Sequence, residues 1–138
     1  MGKRILSVVL GAIAAMAIVS LVELLAGRLY PLGGELDVAD ADAAAAIMGA
    51  APFPAKLLVV LAWFLGALGG AWLALRISDW RWSGWIIALL VVAGAITMIV
   101  MLPHPLWMQA CAIVMPLIGG WIAVRVHHKP YPGEPLLG

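Results

Sequence analysis

The sequence predicts an all-α polytopic membrane protein, with four transmembrane helices in an antiparallel bundle and a short helix in the first loop. Three observations carry that expectation. First, 65% of the 138 residues are hydrophobic and 11% are charged, for a mean hydropathy of +1.10. A soluble domain of this length buries only part of its surface and cannot hide so much apolar side chain. Second, four apolar stretches match the roughly 20 residues that a helix needs to cross a bilayer core of about 30 Å. Third, the positive charges fall unevenly on alternate loops. Eight Lys and Arg against seven Asp and Glu leave a formal +1. That balance excludes a nucleic-acid binder, and the single cysteine excludes a disulfide scaffold.

The first spanning helix is expected over residues 5–30, from Ile5 to Tyr30. Lys3 and Arg4 followed by Ala15, Met16 and Ala17 imitate a secretory leader, but the apolar run continues to Leu25 with no polar region. The segment therefore reads as a retained helix. The second helix is expected over 54–75, the third over 82–102 and the fourth over 105–124. Pro54 and Pro105 suit helix starts, where a missing N–H costs nothing. Between the first two spans, the segment from Asp37 to Gly49 reads as a short helix, with acids near its positive dipole end. Residues 1–126 thus form one transmembrane domain. Residues 127–138 carry Pro130, Pro132 and Pro135 and read as an extended tail.

With the N-terminus in the cytoplasm, Lys3, Arg4, Arg76, Arg81, Arg125 and Lys129 fall inside, and only Arg28 and Lys56 fall outside. This places the chain in a bacterial inner membrane with both termini cytoplasmic and the first loop periplasmic. Trp80, Trp82 and Trp85 would form an aromatic belt at the inner interface, with Trp107 near the outer one. Cys111 reads as a small packing residue.

Helices in lipid associate where small side chains let backbones approach. Ala62, Gly66, Gly70 and Ala74 recur every four residues on the second span, with Gly69 beside them, and read as a helix contact face. Pro116 cannot donate to the carbonyl of Ala112, so a kink is expected in the fourth span.

Glu23 is the polar residue to explain. It lies seven residues before Tyr30, about 10 Å from that end of the helix. An acid at this depth is costly and should face protein or a water cavity. Ala12, Met16, Ser20, Glu23 and Gly27 share one helix side at steps of three and four. Lys56, His104 and Gln109 fall at the same level, with Thr97 near the outer end of the third span. Glu23, Ser20, Lys56, His104 and Gln109 therefore make the candidate intramembrane site. No metal-ligand spacing, phosphate loop, haem-ligating pair or catalytic triad is present, so no cofactor, no metal and no enzymatic activity are expected.

Val22-Glu23 with Gly27 and Tyr30-Pro31, Ala62-Trp63 with Gly66 and Gly69-Gly70, and Pro103-His104-Pro105 with Trp107 together resemble a group of small bacterial four-helix inner-membrane proteins. The resemblance spans Val22 to the fourth helix and implies the same fold, but no activity. Small multidrug transporters also carry a glutamate in the first of four helices. Here the outer loop is much longer and Glu23 lies toward one helix end, so that function is not carried over.

Two functions follow as expectations. The first is a non-enzymatic subunit, acting as a homo-oligomer or within a larger membrane complex, with the lipid bilayer as its other partner. The alternative is a proton-coupled small-solute transporter using Glu23. A closed hydrogen-bonded pocket around Glu23 would suit the former, and a cavity reaching it the latter.

Overall fold

The computed structural model describes residues 1–31, 33 and 39–127. They form five helices: α1 (Gly2–Leu29), α2 (Ala41–Ala50), α3 (Phe53–Ser78), α4 (Arg81–Met101) and α5 (Leu106–Val126). α1, α3, α4 and α5 are each long and apolar enough to cross a membrane. The described residues are those of a multi-pass helical membrane protein. The four spans differ from the expected boundaries by up to three residues, as helix ends commonly do. The short helix begins at Ala41, and residues 37 and 38 of its expected start lie outside the described residues, as does the tail beyond His127.

Local chemistry sets the helix ends. The Asp40 carboxylate caps α2 by accepting from the Ala43 N–H (3.1 Å). Pro54 occupies the first turn of α3, preset in φ. α3 stops at Asp79, which adopts a left-handed conformation (φ 51°, ψ 18°) that short polar side chains tolerate. Leu102 is extended before Pro103, so α4 cannot continue, and Pro105 is the N-cap of α5 rather than its first residue. Pro116 is buried within α5, which remains helical through it.

α3 is the central helix, packed against α1, α4 and α5, whereas among the described helices α1 packs against α3 and α4 alone. The α1–α3 contact runs antiparallel along the small-residue face. A Cβ built on Gly70 would lie 2.6 Å from both the Gly11 carbonyl oxygen and the Ala15 Cβ. One built on Gly11 would lie 2.8 Å from the Gly70 oxygen and from the Ala74 Cβ. Gly66 and Gly69 face Val19 and Ile18 of α1 in the same way. The partner of this face is thus another helix of the same chain. On the far side of α3, a Cβ on Gly119 would stand 2.6 Å from the Phe64 carbonyl oxygen, which brings α5 equally close.

The end of the bundle that carries the α3–α4 turn is clasped by polar contacts. His127 Nε2–H donates to Asp79 Oδ1 (3.1 Å), tying the end of α5 to the turn. The Arg4 guanidinium lies 5.2 Å over the Trp80 ring, tying α1 to it. Ser7 and Ser83 are fully buried, and each donates to a carbonyl at the start of its own helix, those of Arg4 and Trp80, both at 2.7 Å. The α2 end holds the candidate site.

Candidate functional site

α1 leans on α3 through glycine contacts and meets α4 over a much smaller surface. A cavity of about 480 Å³ lies between α1 and α4, with Trp63 of α3 at its back. Ser20 and Glu23 line one wall, and Leu90, Gly94 and Thr97 line the other. Met16 and Leu90 are both wall residues and exposed, so the cleft opens sideways on the lipid-facing surface. A Cβ on Gly94 would meet no atom within 4 Å. Among the α4 glycines, Gly94 therefore faces space, while Gly84 faces Leu75 and Val124.

A second cavity, of about 180 Å³, lies under the α2 end. Glu23, Tyr30, Met48, Lys56 and His104 are among the residues that line it. Its size is well above the roughly 10–15 Å³ that one water requires. Glu23 and Met98 belong to the walls of both cavities, so these two side chains stand between the cleft and the polar end.

The candidate residues separate accordingly. Glu23, Lys56 and His104 come together around the smaller cavity. Ser20 lines the larger cleft, one turn from Glu23. Gln109 lines neither cavity, and its Nε2 donates to the His104 carbonyl (3.0 Å). It braces the turn instead of entering the site. The His104 ring is held as well: Nδ1–H donates to the Leu102 carbonyl (2.7 Å), and the ring packs tilted on Trp63 at 6.4 Å between centroids.

Glu23 itself is half-buried and has no hydrogen-bond or ion-pair partner among the described residues. Lys56 lines the adjoining cavity without pairing to it. Thr97 donates its hydroxyl to the Ala93 carbonyl (2.9 Å), so only its oxygen lone pairs are left to other groups. Sequence reasoning placed Thr97 at this level but did not identify it, or Gly94, as cleft wall. The signal was their three-residue spacing on one face of α4, ambiguous until α1 is positioned.

The arrangement can hold a small, mostly apolar molecule with one polar group. The cleft has the volume of ordinary ligand sites, about 300–1,000 Å³, and their character, an apolar lining with a few convergent polar groups. Among the described residues, no three His, Cys, Asp or Glu side chains gather as a metal site. No protein-family model matches the chain, and neither a curated protein nor a solved structure matches it.

Proposed function

We propose that this is a proton-coupled carrier for a small lipophilic solute, with the α1–α4 cleft as binding site and Glu23 as the group that exchanges the proton. The supporting observation is that Glu23 lacks a partner among the described residues and lines both the lipid-open cleft and the cavity shared with Lys56 and His104. An intramembrane acid between a solute site and a polar cavity is the arrangement that proton relays use. A subunit that used Glu23 only to fix helix register would hold it in a closed hydrogen-bonded pocket.

Binding is tested by thermal unfolding of the purified protein against a panel of lipophilic acids, neutral molecules and amines. A ligand at 100 times its Kd adds about 2.7 kcal/mol of stability. At least one class should raise Tm in the wild type and not in Gly94→Phe, whose new ring fills the cleft. A panel that shifts both proteins equally removes the carrier reading and leaves the oligomeric or accessory subunit.

We further propose a bacterial inner-membrane location with α2 on the periplasmic side. The support is the charge distribution, since Lys3, Arg4, Arg76, Arg81 and Arg125 all lie toward the end opposite α2. In a Cys111→Ala background, an impermeant maleimide should label Ala43→Cys on intact cells and Gly2→Cys only after lysis. The reverse pattern overturns the orientation.

A further inference from the structure

We propose that the solute is a lipophilic primary amine, bound as its ammonium ion against Glu23, Ser20 and Thr97. This rests on the reading of the cleft as a ligand site and names the chemistry the cleft selects. Among the described residues, Glu23 is the one ionisable residue of the cleft walls. A bound cation would complete it, and the ammonium–carboxylate pair has no net charge, which lowers the cost of either ion at membrane depth.

The neighbouring polar groups make the choice narrower. Ser20 and Glu23 are three residues apart and share a helix face. Thr97, on the opposite wall, has its hydroxyl hydrogen committed to Ala93, so it offers the cleft an acceptor and no donor. The polar end of the cleft is therefore built of acceptors: the carboxylate, the Thr97 oxygen, and the Ser20 hydroxyl, which can act either way. An –NH₃⁺ group brings three donors and no acceptor, matching those three oxygens. A carboxylate ligand would face like charge. A quaternary ammonium has the charge but no N–H to give. Leu90, Val91 and the open surface of Gly94 then accommodate an alkyl body, which enters sideways from the lipid.

The test uses the full-length protein in nanodiscs and photoreactive decyl chains that carry a tail diazirine and one of three heads: primary amine, trimethylammonium or carboxylate. The amine probe should crosslink to cleft-lining peptides of α1 and α4, and n-decylamine should compete. Glu23→Gln should raise the competing concentration about tenfold or more, the scale of a lost charge-assisted hydrogen bond. Thr97→Val should raise it by a smaller factor, and Glu23→Asp should retain competition. If the trimethylammonium or carboxylate probe labels the wild-type cleft as well as the amine does, the amine assignment is wrong while the cleft remains a ligand site. If no probe labels these peptides more in wild type than in Gly94→Phe, the carrier reading fails with it. The three-head comparison is made on the wild type and does not depend on any variant folding.

Discussion

Gly70→Leu should separate α1 from α3 and leave the protein unfolded or aggregated on extraction into mild detergent. Even Gly70→Ala should cost about 1–3 kcal/mol, although alanine is favoured over glycine in a helix by about 1 kcal/mol. The reason is where the added carbon would go. It would stand 2.6 Å from the Gly11 carbonyl oxygen and 3.0 Å from Ile87 Cγ2, so α1 and α4 confine it from two sides. A backbone oxygen cannot turn away as a side chain can. Gly66→Ala should cost less, since its nearest obstacle is the Val19 side chain, with the Ala15 carbonyl at 3.1 Å. Gly94→Ala should be neutral or stabilising, because nothing lies within 4 Å. Thermal unfolding of the three alanine variants in one detergent gives the ranking. Equal stabilities would mean that α1 does not pack on α3 through this face.

Much of the fold was legible because the bilayer allows few solutions. Length and hydropathy located the four spans, and Pro54 and Pro105 marked where two of them begin to within a residue. Counting residues from the helix ends put Glu23, Lys56 and His104 at one level, since a helix rises evenly. What counting could not supply was rotation and tilt. Whether Gly66 and Gly70 met α1 or a second copy depends on tertiary packing. The cleft has the same origin: α1 packs closely on α3 through glycines and alanines and meets α4 over a much smaller surface. Gln109 was expected in the site by its level, yet it lines neither cavity. Its partner is the His104 backbone carbonyl, a contact made by the shape of the Pro103–Pro105 turn and carrying no side-chain pattern.

The second large effect concerns Gly94, the position where cleft and fold can be separated. A phenylalanine there gains helix propensity over glycine and meets open space, so Gly94→Phe should keep the wild-type Tm within about 0.5 kcal/mol of stability. Its ring would nonetheless occupy the middle of a cavity of about 480 Å³, between Leu90 and Thr97 on one wall and Ser20 on the other. A folded protein with the cleft filled is the reagent that distinguishes a cleft-facing Glu23 from one that merely faces lipid.

The direct test of the account is therefore the rate at which a lipid-soluble carbodiimide modifies Glu23, read by peptide mass spectrometry in wild type and Gly94→Phe. A carboxyl group in a lateral cleft should be modified in the wild type and strongly protected by the phenylalanine. Equal modification of the two proteins would put Glu23 on the open lipid surface, and a wild-type Glu23 that resists the reagent would put it in a closed pocket. Either result would contradict a solute site between α1 and α4.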